Sequence, residues 1–352
     1  MSPRLVALIP AHNEQDRIVA TLAGLYRQSA RPDRIVVVAD NCTDETARIA
    51  AYCGAEVFVP TGNQDKKAGA LNQALGPLLS GLDDDAYVLV QDADTVLNPD
   101  FVRCAVDAMA DDTVGAVGGI FYGEEGGGVL GLLQRMEYQR YAVEIRRKKN
   151  EAVVLTGTGS LFRASVLRQV RAARLDGTIG GGSSYYSLAS LTEDDEITKA
   201  VKTLGHRTVS PDGCWLTTEV MPSVGKLWHQ RLRWQRGALE NLRDYGWTKV
   251  TAPYFRQQMM LGAGALALAL FATFAVLNLA LVGWGGFSVF WTAITVLFVA
   301  ERTLTVRRLG WRAALFAAPL VPELLYDVFR QAVFVRSLVD LLLRREAHWV
   351  AT

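Results

Sequence analysis

Residues 257–300 contain no aspartate, glutamate, lysine, arginine or histidine. A single helix needs roughly 20 apolar residues to cross the hydrocarbon of a bilayer, so this stretch has room for two. The glycine-rich break Gly283-Trp284-Gly285-Gly286 divides it. The simplest expectation is a helical hairpin with spans near 259–282 and 286–301. Arg302, Arg307, Arg308 and Arg312 follow at once. Such an excess of positive charge marks a cytoplasmic loop. Two crossings return the chain to the side it left, so residues before the hairpin are also expected in the cytoplasm. The start of the chain agrees: residues 5–9 are strand-like and lack the tripartite pattern of a signal peptide. The stretch 313–343 is harder to place. Pro319, Pro322, Glu323, Asp327, Arg330 and Arg336 interrupt a broad apolar helical face made by Leu324, Leu325, Val328, Phe329, Ala332, Val333 and Val335. It reads as a third span, a re-entrant helix or, favoured by its charges, a kinked or interfacial helix.

Residues 1–250 follow a different rhythm. Short β-rich runs at 5–9, 34–39, 56–59 and 87–91 alternate with helix-period segments at 14–28, 43–53, 67–79 and 99–109. Buried parallel strands joined by crossover helices produce this alternation. The expected architecture is therefore α/β: an open, Rossmann-like, mostly parallel sheet with helices on both faces. The division falls near residue 250, with residues 251–352 forming a membrane region. A net charge of +1 gives no electrostatic footprint for nucleic acid. Half the residues are hydrophobic, as suits a soluble domain joined to membrane segments. Cys42, Cys53, Cys104 and Cys214 form no CxxC or zinc-ligand spacing and read as free thiols in a reducing compartment.

Ligands on open α/β sheets sit at the carboxyl ends of the strands, and chemistry-bearing residues recur there. Pro10-Ala11-His12-Asn13-Glu14 closes the first strand, with Asn13 and Glu14 suited to capping the next helix. Asp40 ends the second strand, and Thr43 or Asp44 can cap the helix after it. Lys66-Lys67-Ala68-Gly69 opens a helix, where a lysine and a glycine can hold a diphosphate. The fourth strand runs into Asp92-Ala93-Asp94. Two carboxylates at the mouth of a buried strand are costly without a counter-charge. A hard divalent cation bridging to phosphate oxygens removes that cost, with Asp94 its expected ligand and Asp92 at ribose or donor sugar. Thr192-Glu193-Asp194-Asp195-Glu196 holds more acids than a helix cap needs, and a carboxylate there can take the proton of an acceptor hydroxyl. Gln230-Arg231-Leu232-Arg233-Trp234 offers arginine for a diphosphate and an indole for a sugar face, on a helix that also suits the bilayer surface.

Taken in order, Asp40, Asp92-Ala93-Asp94, Thr192-Glu193-Asp194 and Gln230-x-x-Arg233-Trp234 resemble family 2 glycosyltransferases. The branch is the membrane-bound one that includes cellulose, chitin and hyaluronan synthases. The resemblance covers roughly residues 4–250 and, loosely, the hairpin. It implies a GT-A fold, a UDP-sugar donor, Mg²⁺ or Mn²⁺, and inversion at the anomeric carbon. By the same resemblance Pro10, Ala11, Glu14, Asp40, Lys67, Gly69, Asp92 and Arg233 contact the donor, and Asp94 holds the metal. Asp194 is the general base, and Gly159, Ser160, Glu193, Gln230 and Trp234 serve the acceptor. Two departures stand out. Ala39-Asp40 replaces the usual Asp-Asp pair, and no long gating loop separates Trp234 from the first span. Two or three spans cannot enclose a polymer channel alone, which implies either a homo-oligomer or addition without secretion. The leading expectation is a transferase that builds a β-linked oligo- or polysaccharide at the inner (cytoplasmic) membrane, as a multi-pass protein with its catalytic domain in the cytoplasm. The alternatives are single addition to a lipid or protein acceptor, a non-catalytic membrane scaffold, and a nucleotidyltransferase.

Overall fold

The computed structural model describes residues 4–281, 283 and 289–345. Ten strands are β1 (Leu5–Ala11), β2 (Arg34–Ala39), β3 (Glu56–Phe58), β4 (Tyr87–Gln91), β5 (Val96–Leu97), β6 (Val114–Gly118), β7 (Ile120–Gly123), β8 (Gly159–Arg163), β9 (Arg207–Val209) and β10 (Trp215–Thr218). The helices are α1 (Ile18–Tyr26), α2 (Thr46–Tyr52), α3 (Lys66–Ser80), α4 (Phe101–Ala108), α5 (Gly128–Arg147), α6 (Ala164–Leu175), α7 (Glu193–Thr203), α8 (Val224–Tyr245), α9 (Ala252–Leu281), α10 (Val289–Val306), α11 (Trp311–Ala317) and α12 (Val321–Leu342). Contacts group them into two compact units. The first is residues 1–125 with 141–220, and the second is residues 126–140 with 221–352. The stretch 221–250, which its sequence joins to the α/β part, thus groups with the C-terminal helices, and the division also falls inside α5.

The first unit is built on a seven-stranded sheet in the order β3-β2-β1-β4-β8-β6-β9. Strands β1 to β4 are parallel, and β8 runs antiparallel to both β4 and β6. The inner strands are apolar throughout because helices cover both faces. Val6, Leu8, Val36, Val38, Val88 and Val90 pack on one side with α3 and α6, while Ala7, Ile9, Val37 and Leu89 pack on the other with α1 and α4. A small second sheet, β5-β10-β7, seals one end of that second core through Leu97 and Leu216.

The loops after β1 and β2 differ from the capping roles expected of them. Asn13 and Asn41 adopt left-handed backbone (φ 56° and 49°), a conformation asparagine tolerates better than most side chains. Asn13 does not cap α1. Its Oδ1 accepts from Thr43 N at 2.8 Å and so ties the two loops together. Asp44 does support α2, accepting from Thr46 N at 3.0 Å.

In the second unit, α9 and α10 are long and apolar enough to cross a membrane, and their apolar windows are almost entirely unburied. A buried core helix of a soluble protein would show the reverse. The expected turn at Trp284-Gly285-Gly286 lies outside the described residues, although Gly283 is left-handed (φ 79°). Helix α10, described from Val289, continues past the expected end through Glu301 and Arg302, where Arg302 is paired with Glu323 at 3.0 Å and Asp327 at 2.8 Å. The stretch 313–343 is two helices. Leu320, in left-handed backbone, separates α11 from α12, and Pro322 sits in the first turn of α12. Helix α12 buries Glu323, Tyr326, Ser337 and Asp340 while exposing Val321, Leu325, Val328, Val335, Val339 and Leu342.

Candidate active site

The site of the first unit grows from strand ends. Strand β4 delivers Asp92 and Asp94, α3 begins with Lys66 and Lys67, and α7 begins with Glu193 and Asp194. Lys67 Nζ lies 2.5 Å from Asp92 Oδ1 and 3.1 Å from Glu193 Oε1, so one cation joins the two acidic motifs. Gly157 stands at the same point. A Cβ there would lie 2.9 Å from Lys67 Nζ, 3.6 Å from Asp194 Oδ2 and 3.7 Å from Asp92 Oδ2. The glycine therefore leaves room for the charged groups to meet, and its N–H donates to Asp194 Oδ2 at 3.2 Å. A small cavity behind this point is lined by Lys67, Gly157, Ser160, Tyr186, Glu193 and Asp194, among others.

The four consecutive acids of α7 have four different settings. Glu193 pairs with Lys67, Asp195 pairs with Lys199, and Glu196 lies 2.7 Å from Arg174 in a pair almost wholly removed from solvent. Arg174 also donates to Gly180 O at 2.8 Å, fastening the glycine-rich loop 180–182. Asp194 is held instead by two backbone N–H groups, those of Gly157 and of Asp195 (2.8 Å). Thr192 occupies the N-cap position of α7 without a side-chain capping bond, so capping does not explain the motif.

Burial, and next the neighbouring Glu193, push the Asp194 carboxyl up to about 6, against the pull of Lys67. Burial likewise takes Asp92 to about 6 despite Lys67, and it raises Asp94, which Thr95 and Lys67 partly offset. Glu14, at the start of the loop into α1, rises to about 7 through burial and then through Asp94, Glu219 and Asp92. Lys67 is raised as well, for a different reason. Burial alone would lower it, but Asp92 and Glu193 hold it firmly protonated. Negative charge thus accumulates around Asp94 beyond what Lys67 and Arg17 neutralise. That donor set suits a hard divalent cation. Among the described residues no three histidine, cysteine or carboxylate groups form a ready cage. A cation held here by Asp94 would share its remaining positions with phosphate oxygens or water.

Asp40 lies at the same sheet edge. Asn63 Nδ2 donates to Asp40 Oδ2 at 2.9 Å and to Lys66 O at 2.7 Å, linking the end of β2 to the start of α3. This explains Gly69, because a Cβ there would fall 2.1 Å from Asn63 Oδ1. Pro10 and Ala11 are buried in β1 beside Val38 and Ala39, and Ala11 O accepts from Asp40 N at 2.9 Å. Ser160 is buried and donates to Thr156 O at 2.8 Å. Gly159 faces Leu216, Leu97 and Phe101, an apolar setting. The first unit therefore gathers Lys67, Asp92, Glu193, Asp194 and Ser160, with Asp40, Gly69, Asp94 and Glu14 along the same strand ends.

Gln230, Arg233 and Trp234 lie on α8, in the second unit. There the central cation is Arg231, which had no role of its own in the motif. It is 2.8 Å from Glu137, donates to Gln230 Oε1 at 2.5 Å, and lies over the Trp234 ring at 4.3 Å. Burial alone would raise Glu137, but Arg231 and Arg330 bring it down to about 2. Sequence reading also passed over Asn63 and Tyr186. Tyr186 is fixed through its backbone to Asn72, at 2.8 and 2.9 Å. Asn63 stands three residues before Lys66, a spacing that could have marked it. Nothing in the pattern marks Tyr186.

The arrangement of the sheet and its helices is that of the GT-A class. A mannosyltransferase from Pyrobaculum calidifontis, solved with GDP-Man and Mn²⁺, has the same fold, with a TM-score of 0.64 over 98% of this chain and 89% of that one, at 19% identity. The chain belongs to the family described as Glycosyltransferase like family 2, whose profile matches residues 3–237. It is similar to the poly-beta-1,6-N-acetyl-D-glucosamine synthases of Staphylococcus aureus, at 28% identity over 68% of this chain, and of Staphylococcus epidermidis, at 26% over 69%. It spans about half the length of these relatives, 55% and 56%.

Proposed function

We propose that this protein is an inverting glycosyltransferase that moves a sugar from a UDP-sugar to an acceptor hydroxyl and extends a β-linked saccharide. The observation that carries this reading is the meeting of Lys67, Asp92, Glu193 and Asp194 around Gly157. Asp194 is oriented by two N–H groups and has no cation of its own among the ion pairs of the described residues. It takes the acceptor proton as the hydroxyl attacks the anomeric carbon from the face opposite the leaving diphosphate. Attack from that face inverts an α-linked donor into a β-linked product. Lys67 holds Asp92 toward the donor sugar and Glu193 toward the acceptor. Asp40, Glu14, Gly69 and the backbone of Pro10 and Ala11 border the nucleoside. Asp94 would hold Mg²⁺ or Mn²⁺, which when bound supplies positive charge to the departing diphosphate. Arg233 is assigned to the diphosphate, and Gln230, Trp234, Gly159 and Ser160 to the acceptor. Helices α9 and α10 anchor the chain in the cytoplasmic membrane as a multi-pass protein with the transfer unit in the cytoplasm.

The test is a panel of UDP-sugars with Mn²⁺ or Mg²⁺, offered to the full chain in membranes, with product length as readout. The expected result is a ladder of saccharides, abolished by Asp94→Asn. One sugar added to every acceptor would point to the single-addition reading. Transfer undiminished in Asp94→Asn would remove the metal assignment.

A further inference from the structure

The small sheet of the first unit turns Leu97 and Leu216 into the core and leaves Val96, Thr217 and Trp215 on its other face. On that face a groove of about 260 Å³ is lined by Gly24 of α1 and Arg27 just past its end, together with Val96, Asn98, Trp215 and Thr217, and edged by Leu97 and Pro99. Trp215 is 39% exposed, yet it is held in place. Its ring meets Tyr122 edge-on at 6.3 Å, Arg146 donates to the Tyr122 hydroxyl at 3.1 Å, and Arg146 is paired with Asp212 at 2.5 Å. A large indole kept rigid and half in water is a ready platform for a flat ligand face. The groove is close to the candidate active site in the chain: Val96 follows Asp94, in the turn between β4 and β5, by two residues, and Thr217 precedes Glu219, just past β10, by two, with Glu219 near enough to Asp94 to raise its carboxyl.

We propose that this groove is an accessory carbohydrate subsite, which stacks one sugar ring of a saccharide on Trp215 and hydrogen-bonds its hydroxyls through Arg27. The inference rests on the reading of the protein as a saccharide-extending transferase. The volume lies just below the roughly 300–1,000 Å³ of drug-sized pockets and suits a single ring of a longer chain. Trp215 is the aromatic residue among those lining the groove, so stacking is one-sided, as a pyranose needs. A single-stranded nucleic acid would require a positively charged track, and Arg27 is the one cation lining the groove.

The test titrates a β-1,6-linked N-acetylglucosamine pentasaccharide into the full chain in lipid nanodiscs. Trp215→Ala should weaken binding about tenfold, the upper range for an aromatic contact. Trp215→Phe should fall between, and the exposed Arg27→Ala should weaken binding with the fold intact. Transfer to a monosaccharide acceptor should keep its rate in all three. Unchanged affinity in Trp215→Phe and Arg27→Ala, no saccharide binding by the unaltered chain, or uridine monophosphate displacing the saccharide only when Trp215 is present would each overturn the subsite. If those variants weaken binding while the unaltered chain transfers no sugar from any donor, the subsite stands and the proposed function falls.

Discussion

Asp194→Asn should abolish transfer and at the same time make the protein more stable. The folded-state carboxyl titrates near 6, against 3.8 for an ordinary aspartate. At about 1.4 kcal/mol for each pH unit, holding the charged form in place costs the fold about 3 kcal/mol at pH 8. The sign follows from proton binding. Between about pH 4 and 6 the folded chain holds more protons than the unfolded one, so stability falls as pH rises through that window. At pH 4.5 the cost shrinks to about 1 kcal/mol. Asparagine keeps an acceptor for the Asp195 N–H but turns an amide NH₂ toward the Gly157 N–H, losing about 1 kcal/mol. The net gain is therefore about 2 kcal/mol at pH 8 and near zero at pH 4.5. Thermal unfolding of the full chain in detergent, followed at both pH values, measures it. Transfer should drop about 10²–10⁴-fold, the usual contribution of a general base. An unaltered or lowered midpoint at pH 8, or a gain that persists at pH 4.5, would show that Asp194 carries no such load and is not the poised base.

In the unaltered protein at low donor concentration, transfer should rise with pH through about 6 as Asp194 loses its proton, and a flat profile from pH 5 to 8 would contradict its role. Gly157→Ala should lower transfer at least tenfold while the fold survives, because the added methyl, 2.9 Å from Lys67 Nζ, can be met by moving the flexible end of the lysine; full activity would mean the three charged groups need not converge. Lys67→Met leaves Asp92 and Glu193 without their shared cation, and about 3–5 kcal/mol of stability should be lost, read as a lower unfolding midpoint.

The β-rich runs at 34–39 and 87–91 were legible to the residue because strands buried on both faces must be apolar throughout, and polar residues then mark their ends. The acidic motifs were legible for the same reason: a carboxylate at such an end stands out. What the pattern concealed depends on partners distant in sequence. Asn13 looks like a helix cap and instead bridges to a loop thirty residues away. Past the apolar run, α10 pairs Arg302 with Glu323 and Asp327, which in isolation look like interruptions of the next helix. Arg231 sits inside a recognised motif, but its weight comes from Glu137 on α5. Tyr186 reaches its cavity through Asn72, on a helix more than a hundred residues earlier.

Helix α12 buries the carboxylates of Glu323 and Asp340 and exposes most of its valines and leucines, Val333 excepted. The rules of tolerance therefore run backwards along it. Outward, Leu325 and Val335 are exposed, and another hydrocarbon there changes little in the packing. Inward, an apolar residue at position 323 would take from Arg140 its ion-pair partner and leave Arg302 to Asp327 and Glu301, so the position that looks most in need of an apolar residue is poorly able to accept it.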